Sequence, residues 1–243
     1  MGHPSGTRAN TGLPSGAEFH ENIAAGWSEG YSGGGFAKRL ACFQSLLKGV
    51  VKPGQVWLDL GCGSGVLTHE LINLGATVVA VDGSPEMLKQ ARAFVGTVNG
   101  KQPAFIQGDV QALPALGPGL FDGVLCSSVI EYVEDPSALM GEVFRLLRPG
   151  GALIVSLPPR FAAVRTVQKI LRELGRPFGL NKYTYLSVSK FELAPHQAAD
   201  WLNAAGFSLD QVTSFDPVLP RALASILRPS LLVLEAHRQS AAR

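Results

Sequence analysis

Apolar residues fall along this 243-residue chain in short runs punctuated by glycine, proline and acidic turns. Val56–Leu60, Thr77–Asp82, Ala104–Gly108, Gly119–Ser127 and Ala152–Leu157 read as strands. Their near-continuous apolar character is that of parallel strands covered on both faces. Between them Gly65–Leu74, Pro85–Thr97 and Pro136–Leu147 read as helices. Alternation of this kind with right-handed crossovers predicts an α/β, doubly wound, mostly parallel sheet, with its ligand crevice at the carboxyl ends of the strands. Upstream, Glu18–Val50 reads as helical, with Gly33-Gly34-Gly35 as a hinge between Tyr31 and Phe36. Downstream, Phe161–Leu174 places Phe161, Val164, Val167, Ile170, Leu171 and Leu174 on one helical face. Ala194–Ala205 is a further helix that Gly206 ends, and Leu209–Phe215 and Leu231–Ala236 are closing strands.

The loop after the first strand carries the chemistry. Val56-Trp57-Leu58-Asp59-Leu60 runs into Gly61-Cys62-Gly63-Ser64-Gly65, and the next strand ends in Asp82. Glycines in such a turn supply positive φ and let backbone approach a ligand, and an acid about twenty residues on can accept from ribose hydroxyls. A nucleoside pocket is expected. The dinucleotide pattern G-x-G-x-x-G needs its third glycine at Val66, where this chain offers Gly65 one residue early, which disfavours a nicotinamide oxidoreductase.

The run Leu58–Gly65 resembles motif I of the class I S-adenosylmethionine-dependent methyltransferases. Asp82-Gly83-Ser84-Pro85-Glu86-Met87-Leu88 is similar to that family's ribose-binding turn, and Gly108-Asp109-Val110-Gln111-Ala112-Leu113-Pro114 to its adenine loop. Phe121–Val133 is similar to its fourth strand with the loop facing the methyl group, and Leu146–Gly151 to the turn before its fifth strand. The resemblance covers residues 19–157 closely and the remainder loosely. It implies a seven-stranded sheet closed by a reversed hairpin, an N-terminal helical cap over 18–50 and a lid insertion over 159–192. The implied cofactor is S-adenosylmethionine. Loop amides of Gly61, Gly63 and Gly65 would bracket it, Asp59 would organise that loop, and Asp82, followed by Gly83 and Ser84, would take the ribose hydroxyls. Asp109 and the Val110 amide would hold the adenine, with Met87 on its face and Ser127 in the methyl-facing loop. Trp27, Tyr31 and Arg39 of the cap would lie near the cofactor carboxylate, Arg39 as a planar clamp.

The base is less plain. Many relatives carry Glu-His after the fourth strand, where this chain has Glu131-Tyr132. Tyr132 is a candidate for orienting an acceptor, and His20 and His196 are candidates for a base near neutral pH. His69 and Cys62 read as structural. An amine or acidic phenol needs no dedicated base.

Composition narrows the setting. Hydrophobic residues make up 46% of the chain, and no apolar run reaches the ~20 residues of a membrane span. Residues 1–17 read as a flexible Gly/Ser/Pro/Thr-rich tail and 18–243 as one domain. Cys42, Cys62 and Cys126 form no C-x-x-C pair, so a reduced cytoplasmic protein without structural metal is expected. The net charge is +2, yet Pro158–Lys190 holds seven basic residues (Arg160, Arg165, Lys169, Arg172, Arg176, Lys182, Lys190) against Glu173. That insertion can be a lid with apolar residues on the acceptor and its cations in water, a site for an anionic substrate group, or a helix lying on an anionic membrane. The reading is methyl transfer to an O or N atom of a small, anionic or lipophilic acceptor by in-line displacement, with no nucleic-acid partner and with peripheral membrane contact open. A nucleic-acid methyltransferase and a non-catalytic cofactor-binding regulator are the alternatives. Cys126-Ser127-Ser128-Val129 lacks the Asn/Asp-Pro-Pro-Tyr/Phe loop of enzymes acting on base amines.

Overall fold

Strand parity explains how the chain builds two cores from one sheet. The computed structural model describes residues 16–23, 31, 33–113, 116–178, 183–216, 219, 227 and 229–240. Its strands are β1 (Val56–Leu60), β2 (Thr77–Asp82), β3 (Ala104–Gln107), β4 (Phe121–Ser127), β5 (Leu147–Leu157), β6 (Phe207–Phe215) and β7 (Leu231–Arg238). They form one seven-stranded sheet in the order β3-β2-β1-β4-β5-β7-β6. β1 to β5 pair in parallel, and β7 runs antiparallel between β5 and β6, which is the expected reversed hairpin.

The helices are α1 (Gly16–Ile23), α2 (Gly34–Val50), α3 (Val66–Asn73), α4 (Pro85–Val95), α5 (Pro136–Leu146), α6 (Ala163–Gly175) and α7 (Ala198–Ala204). Two have well-made starts. Ser84 caps α4 by accepting from the Met87 amide, Asp135 caps α5 by accepting from Ser137 and Ala138, and each is followed by proline at the first helical position.

Because side chains alternate along a strand, Leu58 and Leu60 of β1 join Val124, Cys126, Leu153 and Val155 in a core under α5 and α7. Trp57 joins Leu125 and Ile154 in a second core with Phe43 and Leu47 of α2, Leu67 and Leu71 of α3 and Leu88 of α4. The same parity sends Asp59 to the α3 side and Ser127 to the α2 side. No described helix is long and apolar enough to cross a membrane.

Most element ends differ from the sequence reading by a few residues, and two of the differences bear on the fold. β5 begins at Leu147, which pairs with Phe121 before a register shift, and regular pairing resumes at Ala152 opposite Gly123. Gly16 and Ala17, assigned to the tail, form the first turn of α1.

Candidate active site

The carboxyl ends of β1, β2 and β4 meet at the point where strand order reverses, and there a cavity of about 1070 Å³ opens. Its floor is the glycine loop. Gly61 has φ +73°, and a Cβ there would lie 2.2 Å from Val129 Cγ2, so a side chain is excluded both by backbone conformation and by space. The Gly63 amide donates to Asp82 Oδ2 at 2.8 Å and the Ser84 amide to Asp82 Oδ1 at 2.9 Å. Asp82 thus ties the loop to the end of β2, and burial pushes its carboxyl up against those two amides.

Asp59 lies beneath the same loop, 1% exposed, and accepts from the Thr68 hydroxyl at 2.6 Å. Burial raises its pKa to about 7, opposed by the Thr68 hydrogen bond and reinforced by the charge of Asp82. A carboxyl whose folded pKa exceeds its unfolded value of about 3.9 stabilises the protein fully below that unfolded value. The contribution is lost as pH rises toward about 7. Asp59→Asn, which keeps the shape without the charge, is expected to flatten the decline of melting temperature between about pH 4 and pH 7. An unchanged profile in a pH series of melts would place the titrating group elsewhere.

Around this floor the cavity collects most of the residues that the sequence nominates. His20, Tyr31, Arg39, Asp59, Gly61, Gly63, Asp82, Gly83, Met87, Asp109, Val110, Ser127 and Tyr132 all line it. Arg39 reaches from α2 and donates to Ser127 Oγ at 2.6 Å, joining the cap to the end of β4. Tyr31 packs its ring against Phe36, with centroids 5.1 Å apart. Asp109 stands exposed at the rim, where its Oδ1 accepts from the Gln111 amide at 3.0 Å. Cys62 is buried with its thiol pushed well up by burial and by Asp59 and Asp82, as suits a packing role. His69 sits on α3 with Nδ1 3.0 Å from the Asn73 amide.

Helix α1 closes one side. His20 Nδ1 lies 2.7 Å from the Gly16 carbonyl, and its ring meets Tyr132 edge-on at 5.0 Å. A donating Nδ1–H assigns the ring's basic function to Nε2. The Tyr132 phenol is pushed up by burial and by the Glu131 charge, so it is a hydrogen-bond donor and not a base. Glu21 fastens α1 by accepting from the Ser84 hydroxyl and, at 3.1 Å, from the Glu86 amide. Glu21→Ala is expected to loosen this cap and weaken cofactor binding by up to ~10-fold, the scale of one charged hydrogen bond. Titration calorimetry checks this, and an unchanged affinity would show that the cap's seat does not depend on Glu21.

The other side is closed by the insertion, with its expected polarity reversed. Arg165 of α6 is 7% exposed and donates to Glu131 Oε2 at 3.1 Å and to Ser189 Oγ at 2.6 Å. Glu131, 3% exposed, also accepts from Ser189 Oγ at 2.5 Å, and its carbonyl accepts from the Lys190 amide at 2.7 Å. Val164, Arg165, Gln168, Tyr185 and Lys190 face the cavity, whereas Val167, Ile170, Leu171 and Leu174 are exposed. The expected lid, apolar inward and cationic outward, is therefore corrected: a buried ion pair to Glu131 draws the polar face of α6 inward.

Three nominated residues stand outside the cavity. Gly65, φ +83°, is the N-cap of α3, where a Cβ would lie 3.0 Å from Ala91 Cβ, so it serves helix packing. Ser84 is spent as the cap of α4 and as the partner of Glu21. His196 lies exposed on the 3-10 turn Pro195–Gln197, so the geometry gives no support to its nomination as a base. Trp27, Pro114 and Lys182 lie outside the described residues. Sequence reasoning left Glu131, Gln168, Tyr185 and Ser128 without a site role, and named Arg165 and Lys190 only among the cations of the insertion. Only Glu131 and Ser128 had a local signal, their place in the loop after the fourth strand. Ser128 has φ +54° and donates its amide to Ser156 Oγ at 2.9 Å, a conformation uncommon outside glycine that sits on the cavity wall.

Comparisons with known proteins agree with this geometry. Residues 58–155 match the family model described as a methyltransferase domain. A ubiquinone biosynthesis O-methyltransferase of Xanthomonas euvesicatoria is 37% identical over 172 residues, 68% of each chain. A protein of the same name from Xanthomonas campestris is 36% identical over 180 residues, 71% of this chain and 72% of its own. Among solved structures, the magnesium protoporphyrin IX methyltransferase of Synechocystis, which holds S-adenosylhomocysteine, superposes with a TM-score of 0.66 at 22% identity, covering 91% of this chain and 96% of that one. At that identity the likeness speaks for the fold. The curated relatives, the matched domain and the motif order together place this chain in the class I S-adenosylmethionine-dependent methyltransferase family, and it is a methyltransferase.

Proposed function

We propose that this enzyme transfers the methyl group of S-adenosylmethionine to an oxygen or nitrogen of a small molecule, a phenolic hydroxyl being the favoured acceptor. The carrying observation is a single cavity that runs from the glycine loop to the inner face of α6, covered by elements of the cap and of the insertion. Such a space suits a cofactor and a compact acceptor held together, away from water. The names of the curated relatives favour oxygen.

The residues present fit the cofactor. Gly61, where a Cβ would strike Val129, keeps the loop backbone at the cavity floor, Asp82 offers carboxylate oxygens at the end of β2, and Met87 and Val110 line the cavity with apolar side chains. On this reading Arg39 and Tyr31 face the amino-acid end, Asp109 and Val110 the adenine, and Ser127 the methyl-facing wall. S-adenosylmethionine supplies an electrophilic methyl on sulfur, so the protein's task is to hold the acceptor in line and manage one proton. Glu131 accepts the hydrogen bond of the acceptor hydroxyl, and Arg165 stabilises the developing oxyanion. His20 through Nε2 is the nearby group placed to take the proton, and Tyr132 orients the acceptor by donating.

Calorimetry with S-adenosylmethionine, S-adenosylhomocysteine and NAD, followed by radiolabelled methyl transfer to catechols and simple amines, tests the proposal. Binding of the two sulfur compounds and label in a catechol is the expected result. Binding of NAD, or label entering RNA and no small acceptor, would overturn it.

A further inference from the structure

Arg39, Arg165 and Lys190 are the arginine and lysine side chains that line the cavity, and their partners differ. Arg165 is neutralised by Glu131 at 3.1 Å. Arg39 donates to Ser127 and, on the reading above, faces the carboxylate of the cofactor. The ion pairs of the insertion join Arg165 to Glu131 and Glu192, Lys169 to Glu192, and Arg172 and Arg176 to Glu173. Among the described residues, no carboxylate reaches the Lys190 ammonium. Its backbone is nonetheless fixed. The Lys190 amide donates to the Glu131 carbonyl at 2.7 Å, and the hydroxyl of the preceding Ser189 joins Glu131 to Arg165. The lysine therefore starts beside the residue set at the acceptor hydroxyl in the reading above. Three residues beyond Arg165 on α6, Gln168 Oε1 accepts from the Tyr185 hydroxyl at 2.6 Å. That bond leaves the Gln168 amide nitrogen to donate elsewhere, and among the described residues it has no partner.

We propose that the methyl acceptor is a phenolic acid, whose carboxylate is received by the Lys190 ammonium and the Gln168 amide at the mouth of the cavity. Charge selects this class. The acids that line the cavity without a cation partner belong to its cofactor end: Asp59, Asp82 and Asp109 stand at or just beyond the ends of β1, β2 and β3, and the amide of Glu134 donates to Gln111 of the adenine loop. At the other end Arg165 cancels the charge of Glu131, so Lys190 decides the sign there. One ammonium with a neutral donor suits a singly charged group, whereas a phosphate, close to doubly charged, calls for a cluster of cations. Val164, Tyr185 and Val188 line the wall between and give a ring a surface to lie on. Lys190 is exposed, and a compact charge on a flexible stem can meet a carboxylate at the rim while the hydroxyl is held deeper, at Glu131. The assignment rests on the small-molecule reading above and narrows its acceptor to an anion.

Calorimetry of the full chain saturated with S-adenosylhomocysteine, titrated with 3,4-dihydroxybenzoate and with its neutral isostere 3,4-dihydroxybenzamide, tests the assignment without turnover. The acid is expected to bind about 5- to 10-fold tighter than the amide, the scale of one charged hydrogen bond at a partly exposed site, and the preference is expected to shrink in high salt. Lys190→Met removes an exposed side chain and is expected to bring the acid to the affinity of the amide, while Lys190→Arg keeps the preference. Initial rates of methyl transfer to the two compounds give the same comparison in KM. Equal binding of acid and amide by the wild type, or a preference that survives Lys190→Met, would overturn the assignment and leave the phenolic acceptor standing. Binding of neither compound would overturn both.

Discussion

Glu131→Ala is expected to cost about 3–5 kcal/mol of stability, because it leaves the Arg165 guanidinium buried without its counter-charge. In a protein of this size that lowers the melting temperature by on the order of 10 °C. Ser189 loses its acceptor at the same time, since its hydroxyl donates to Glu131 and in turn accepts from Arg165. The double variant Glu131→Ala/Arg165→Met removes both charges and is expected to recover much of the loss, as buried ion pairs replaced by apolar groups often do. Urea unfolding of the wild type, both single variants and the double variant gives the coupling directly. Coupling below about 0.5 kcal/mol would show that the pair is merely adjacent. Turnover discriminates the chemical role. Glu131→Gln keeps a hydrogen-bond acceptor but lacks the charge, so on the proposed mechanism kcat falls while cofactor affinity stays.

Asp82→Ala is expected to raise the dissociation constant of S-adenosylmethionine by about 10²–10³-fold. Two effects combine. The carboxylate proposed to hold the ribose hydroxyls disappears, and charged hydrogen bonds are each worth about 1.5–3 kcal/mol. The Gly63 and Ser84 amides also lose the acceptor that fixes the glycine loop against β2. Asp82→Asn retains one carbonyl acceptor and should fall between the two. Calorimetry checks the affinities, and the cofactor-induced rise in melting temperature gives a second reading, because a ligand stabilises in proportion to its binding. Affinity within about threefold of wild type in Asp82→Ala would remove Asp82 from the site.

The legible part of this protein is the part whose information is local. Strands and helices follow from apolar periodicity and from caps such as Ser84-Pro85 and Asp135-Pro136, all carried within a few residues of where they act. Gly61, Gly63, Asp82 and Asp109 were legible for a related reason. Each stands at or just beyond the carboxyl end of a strand, and a parallel sheet delivers those ends to one edge. Asp59 was legible as a loop organiser, but not as an acid with a pKa near 7, because that value comes from its burial and from Asp82 on the next strand.

Ser84 and Gly65 illustrate the converse. Both belong to motifs that match, yet backbone capping and the close approach of α4 consume them. His196 lies exposed on its 3-10 turn and does not line the cavity, a placement that its neighbours in sequence do not reveal.

By itself, then, the sequence determined the doubly wound sheet class, the nucleoside-binding edge and the methyltransferase family, since all three are written in short-range patterns. The tertiary structure alone decided which way α6 faces. Amphipathicity says only that one face differs from the other, and the usual inference is that the apolar face turns inward. Here Glu131, thirty-four residues earlier in the chain, offers a buried carboxylate that Arg165 must satisfy. That buried ion pair holds the Arg165 face of α6 inward, and the apolar stripe on the opposite face is left in solvent.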